Sequence, residues 1–314
     1  MRGLQNHTTV SGFILLGFSE FHDLHLLFFI VLLSLYILTL MVNTLIIMII
    51  NADRTLQTPM YFFLTHLSFL EVCYMSVIIP KMLENMLVEK MGISFEGCAM
   101  QMFFFLFFGI AECFLLAAMA FDRYVAICNP LCYMVIMSSS VCRKLVVGSY
   151  VWGTIVGLVH TIITFSSQFC GLIINHFFCE IQPLLELLCG DTFLNEVQVI
   201  VMAVFAIMVP FLLVILSYVC ILSTILKMPS AEGRLKAFST CSSHLVVVTL
   251  FYGSASFMYL RPKSTYSPPV DKLLSLSYTI VTPFLNPMIY SLRNEEVKGA
   301  IRKLLTGWTL FTKN

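Results

Sequence analysis

Charge is scarce in this chain. Of 314 residues, 11% are Asp, Glu, Lys or Arg and 59% are hydrophobic, whereas soluble domains are about a quarter charged and about half apolar. A soluble fold of this length needs more polar surface than that, so the apolar excess must face lipid. The net charge of +1 leaves no basic footprint, so no nucleic-acid partner is expected. Tryptophan is nearly missing, and the seven histidines decide nothing by themselves. No Gly- or Ser-rich linker and no internal repeat divides the chain, which predicts one domain. No H-E-x-x-H, G-x-S-x-G or P-loop pattern occurs, so an enzyme is not expected. A transporter would carry paired repeats and broken helices, and a channel a polar pore lining; neither pattern is present. Residues 1–23 lack a basic segment leading into an apolar core and cleavage site, so the first apolar run reads as an uncleaved anchor.

What is abundant is long apolar runs. Seven approach the roughly 20 residues a helix needs to cross a bilayer: Leu26–Ile50, Pro59–Ile79, Gly97–Cys128, Val141–Phe165, Val197–Leu226, Ala237–Leu260 and Leu273–Leu292. Barrel strands would alternate over about ten residues; these runs are apolar all round. The predicted fold class is an all-α, seven-transmembrane helix bundle. It divides into an extracellular N-terminus over 1–25, a bundle over 26–292 and a cytoplasmic tail over 293–314. In the tail, Val297, Ala300, Ile301, Leu304 and Leu305 share a face opposite Lys298, Arg302 and Lys303, which predicts a short amphipathic helix on the inner leaflet. No cysteine follows Cys241, so palmitoylation there is excluded.

Orientation follows from the basic residues. With the N-terminus outside, six of the 18 Lys and Arg fall on the outer side and twelve on the inner, in line with the positive-inside bias. The protein is therefore placed in the plasma membrane, with its N-terminus extracellular. Asn6-His7-Thr8 is then a glycosylation acceptor on the correct face. Four of the eleven cysteines, Cys98, Cys170, Cys179 and Cys189, lie in outer segments. Four cysteines in an oxidising compartment suggest two disulfides, with three connectivities open.

Asp122-Arg123-Tyr124 closes the third run. Taken alone, the pair is interfacial, with Arg123 snorkelling to water. It has company, however. LQTPMYFFLTHLSFLE (56–71), MAFDRYVAIC (119–128), SY (217–218), KAFSTCSSHL (236–245), PFLNPMIYSLRN (283–294) and HFFCE (176–180) follow in order. In these segments the chain resembles the rhodopsin-like G-protein-coupled receptors, and within them an olfactory receptor of the tetrapod-type class. Val42-Asn43, where Gly-Asn is usual, and Glu71, where Asp is usual, are mild departures.

The resemblance implies a receptor for a small volatile ligand that activates a stimulatory olfactory-type heterotrimeric G protein and raises cyclic AMP. The alternative is a rhodopsin-like receptor for another small ligand or a peptide. The implied switch comprises Asp122, Arg123, Tyr124, Tyr218, Lys236, His244, Asn286, Pro287 and Tyr290, with Arg123 held by Asp122 at rest. Glu71 and Glu112 are intramembrane carboxylates and functional candidates by default. With Asn43 and Asn286 they would hold a proton or a sodium ion; no other cofactor is expected. The disulfides taken forward are Cys98–Cys179 and Cys170–Cys189. His176, Cys179 and Glu180 are not expected to bind metal, because a disulfide occupies the Cys179 sulfur.

The ligand site is sought in the outer half. Met102, Phe105, Leu106, Gly109 and Ile110 follow helical spacing on the third span, and Cys113 continues that face. The family's pocket positions add Met202, Ala203, Ala206, Ile207, Phe251, Tyr252, Ala255, Ser256, Tyr259, Leu276 and Thr279. None of these is charged, so the ligand should be small, neutral and largely apolar. Ser256, Tyr259 and Thr279 are the expected hydrogen-bonding handles.

Overall fold

The computed structural model describes residues 11–18, 25–88, 91–260, 267–292 and 297–299, with the side chains of Lys236, Ser239, Thr240, Pro268, Tyr290, Ser291 and Leu292 excepted. Of the expected tail helix only residues 297–299 are described, as helix with Val297 buried in the core; its remainder, Asn6 and the Lys236 and Tyr290 side chains lie outside what is described. Among the described residues, six helices are long and apolar enough to cross a membrane. They are α1 (His25–Ala52), α2 (Pro59–Leu87), α3 (Phe95–Cys128), α4 (Ser139–Ser166), α5 (Phe193–Lys227) and α6 (Ala231–Leu260). The seventh run forms α7, residues 268–292, in three joined pieces. α2 runs past Pro80 to Leu87, beyond the end expected at residue 79. Exposed Leu, Ile, Val and Phe cover the outside of the helices, as a lipid solvent requires.

Helix packing in lipid relies on close approach rather than on the hydrophobic effect. Gly153 and Gly157 supply it between α4 and α3. They are four residues apart and share one face. A Cβ on Gly153 would lie 2.5 Å from the Phe107 carbonyl oxygen, and one on Gly157 would lie 3.2 Å from that of Phe103.

Two helices are wound wider over five residues. Val204–Met208 of α5 and Ser277–Val281 of α7 are π-helical. In each case a proline follows two residues after the wide turn, Pro210 and Pro283. Proline removes a donor and clashes with the carbonyl four residues back; a π turn admits one extra residue and relieves that clash.

One end of the bundle carries a roof. Strand β1 (Gly12–Leu15) pairs antiparallel with β2 (Gly92–Ser94) and parallel with β3 (Ile173–Ile174). The all-helical expectation did not include this sheet. Phe13 and Leu15 bury beneath it with Phe169, Ile174 and Leu184. Disulfides join Cys98 to Cys179 and Cys170 to Cys189, which pins the 167–192 loop over the bundle. Gln101 reinforces the pin, accepting from the Cys179 N–H at 2.9 Å and donating to Val77 at 3.0 Å.

Candidate functional site

Below the roof lies a cavity of ≈ 80 Å³. One water needs about 10–15 Å³, so a small organic molecule is the right scale. α3 contributes Phe105, Leu106, Gly109, Ile110 and Cys113; α5 contributes Val199, Met202, Ala203, Ala206 and Ile207; α6 contributes Phe251, Ala255 and Tyr259. Eleven of the sixteen expected pocket residues therefore meet around one space. The π turns bring Ala206 and Ile207 from one wall and Tyr278 from another.

Five expected residues sit elsewhere. Met102 packs under the roof beside Cys98 and Cys179. Tyr252 is buried, donates to the Cys113 carbonyl at 2.6 Å and stacks on Phe211. Thr279 donates to the Ser275 carbonyl at 2.5 Å, satisfying its own helix. Leu276 packs against the main core. The Ser256 hydroxyl is buried away from the lining, with no hydrogen-bond partner among the described residues. Of the three expected handles, Tyr259 alone reaches the cavity.

Other polar groups do line it. Tyr74 (α2), His160 (α4) and Tyr278 (α7) were not anticipated, nor was Ile181 from the loop. His160 binds the Val156 carbonyl through Nδ1 at 3.0 Å. Tyr259 and Tyr278 both donate to Glu180 Oε1, at 3.1 and 2.5 Å. Glu180 is fully buried. Its Oε2 takes Ser275 Oγ at 3.0 Å and lies 3.2 Å from His176 Nε2. Burial, and then the charge of Lys272, push His176 down to about 3, so its ring is neutral at physiological pH.

Midway along the bundle, Glu71, Glu112, Asn286 and Asn43 are all buried. Asn286 Nδ2 donates to Glu71 and, at 3.3 Å, to Glu112. Asn43 donates to the Thr39 carbonyl. Asn43 Oδ1, Asn286 Oδ1 and Glu71 Oε2 are left as buried acceptors with no donor among the described residues.

At the far end, the expected clasp between neighbours is replaced. Asp122 Oδ1 accepts from Tyr133 at 2.8 Å, and Arg123 reaches the Met60 sulfur. Adjacent residues point about 100° apart around a helix, so each finds a partner on a different element. Burial and the Asp122 carboxylate raise the Tyr133 phenol, which keeps it a donor. Tyr218 pairs with His244 Nδ1 at 2.7 Å, tying α5 to α6. Tyr124 is half-buried, its ring centroid 6.2 Å from that of Phe121. Pro287 lies inside α7.

The chain is similar in sequence to known proteins along most of its length. The family described as "Olfactory receptor" matches residues 32–307. Human olfactory receptor 10C1 is 54% identical over 301 residues, covering 96% of each chain. Human olfactory receptor 10A7 is 52% identical over 303 residues, again 96% of each. Mouse olfactory receptor 5AP2 is 50% identical over 312 residues, 98% of each. A multi-pass helical bundle with a roofed apolar cavity, matched along almost its whole length, belongs to the olfactory receptor family.

Proposed function

We propose that this receptor binds small, neutral, largely apolar volatiles in the roofed cavity and activates a stimulatory olfactory-type heterotrimeric G protein, raising cyclic AMP. One observation carries the reading. Gly109 in the cavity wall and Asp122 at the far end share one continuous helix, thirteen residues or roughly 20 Å apart. A ligand that shifts α3 or α6 at one end therefore acts on the Tyr218–His244 and Asp122–Tyr133 contacts at the other. In this reading the roof is extracellular, Asn6 is glycosylated, and the end bearing Arg123 meets the G protein at the inner leaflet. Glu71, Glu112, Asn43 and Asn286 are read as a sodium site rather than a bare proton pair. Their three donorless oxygens are the hard ligands such a cation takes. Glu71, Glu112, Asn43 and Asn286 would hold the ion, which would offset the charge of the carboxylates.

The test is a cyclic-AMP reporter in cells expressing the full chain, challenged with a panel of neutral volatiles. A response that Arg123→Ala abolishes at equal surface expression supports receptor and switch. Silence to volatiles with a response to amines or peptides refutes it. Loss of a mobility shift on deglycosylation in Asn6→Gln checks the orientation.

A further inference from the structure

The hydrogen-bond directions around the cavity have a polarity. A phenol has one proton to give. Tyr259 and Tyr278 both give theirs to Glu180, which lies behind the cavity wall and not on it. With its proton committed, a phenol can only accept from a ligand; the Tyr278 oxygen also lies 2.8 Å from Ser275 Oγ. His160 is committed in the same sense: a carbonyl only accepts, so the Val156 contact places the proton on Nδ1. Nε2 of the neutral ring is then an acceptor. Among the described residues Tyr259 and Tyr278 donate to Glu180, and Ser275 Oγ and His176 Nε2 lie within 3.0 and 3.2 Å of its second oxygen while also contacting Tyr278 and each other; this gathering of donors suits an ionised, acceptor-only carboxylate.

We propose that Glu180 acts as a positioning residue that turns the donor protons of Tyr259 and Tyr278 away from the cavity, so that with His160 it selects hydrogen-bond donors, namely neutral alcohols, over ketones, aldehydes and esters of the same carbon skeleton. This deepens the proposed function and rests on the cavity being the ligand site. An alcohol places its O–H on Tyr259 or His160. A ketone of equal shape brings a carbonyl oxygen against lone pairs and finds no partner there. Tyr74 is the third phenol in the lining; its hydroxyl is not turned toward Glu180 by any hydrogen bond among the described residues, and it can serve a ligand of either kind.

The experiment uses the full-length receptor in two readouts, cyclic AMP in cells and thermal stabilisation of purified protein in nanodiscs. The probes are medium-chain secondary alcohols and the ketones of identical skeleton. The wild-type receptor should favour the alcohol by about five- to tenfold in half-maximal concentration, the scale of one net hydrogen bond. Tyr74→Phe should keep or sharpen that preference. Glu180→Gln offers an amide N–H to the phenols and turns their protons back, so the ratio should move toward the ketone. Tyr259→Phe removes an acceptor from the cavity and one donor from Glu180, so it should weaken the alcohol alone, read at equal surface expression and against the ligand-free melting temperature of the same variant. An unchanged ratio in both Glu180→Gln and Tyr259→Phe, or a wild-type receptor that prefers the ketone, overturns this proposal while leaving the neutral-volatile reading intact. No cyclic-AMP response and no stabilisation by either probe class overturns both.

Discussion

Replacing Gly153 with alanine tests the α3–α4 seam. The added methyl would sit 2.5 Å from the Phe107 carbonyl oxygen, 3.3 Å from the Ala111 nitrogen and 3.3 Å from a Phe107 ring carbon. Two of these neighbours are helix backbone, which cannot swing aside, so α4 must back away from α3. Inserting one carbon into a packed interface costs about 1–3 kcal/mol, and the seam would lose the dispersion contacts flanking it. For a chain of this size that is a fall of roughly 2–8 °C in melting temperature. Gly148 is the matched control on the same helix, since a Cβ there meets nothing within 4 Å. The assay is thermal unfolding of detergent-purified receptor, followed by a thiol-reactive dye on buried cysteines such as Cys113 and Cys142. Gly153→Ala should melt lower, with Gly148→Ala within a degree or so of wild type. Equal melting temperatures for all three proteins would refute the close-approach argument.

Other outcomes follow from the same geometry. Gly109→Ala should fold normally, because its Cβ would stand an ordinary 3.5 Å from Tyr74, while Gly109→Leu should lose responses to the bulkier members of an odorant series at unchanged surface expression. Tyr133→Phe leaves the buried Asp122 carboxylate one donor short, at a cost of about 1–3 kcal/mol, and should lower the melting temperature as well as alter basal cyclic AMP. Removing the Cys98–Cys179 bridge, which closes 81 residues, should cost more in a nonreducing melt than removing Cys170–Cys189, which closes 19; chain-entropy arithmetic puts the difference at about 1.3 kcal/mol. His176 is neutral when folded and titrates near 6.5 when unfolded. The unfolded chain thus binds the extra proton first, so stability should fall as pH drops below about 6.5 and go on falling toward 3. A His176→Asn receptor should show a flatter pH profile over that range.

Much of this arrangement can be read from residues alone. The seven apolar runs and the helical spacing of Phe105, Leu106, Gly109 and Ile110 lead straight to one wall of the cavity. Tyr74 and His160 were missed because each is a lone polar residue on a helix that contributes little else, and periodicity within a span does not say which neighbour it faces. Glu180 was missed as a site residue because it lies on a loop, where the disulfides and the roof decide position. Met102 and Thr279 sit on faces that spacing marks as inward, yet their partners are the roof and their own helix backbone. Two further signals were present and unused: Gly153 and Gly157 at a spacing of four on one helix face, and the prolines at 210 and 283 that foretell the wide turns.

Those wide turns separate two tasks along one helix. A π turn holds a residue more than the α-helix would, and removing one residue from 204–208 would restore regular winding. The segment Phe193–Ala203 would then rotate by about 100° and draw in by about 1.5 Å relative to the rest of α5. Val199, Met202 and Ala203 would leave the cavity wall, while Tyr218 would stay on His244. The turn is thus a slip joint: its roof-side half can be re-registered, and the chemical taste of the pocket rewritten, without moving the contacts that report binding at the other end.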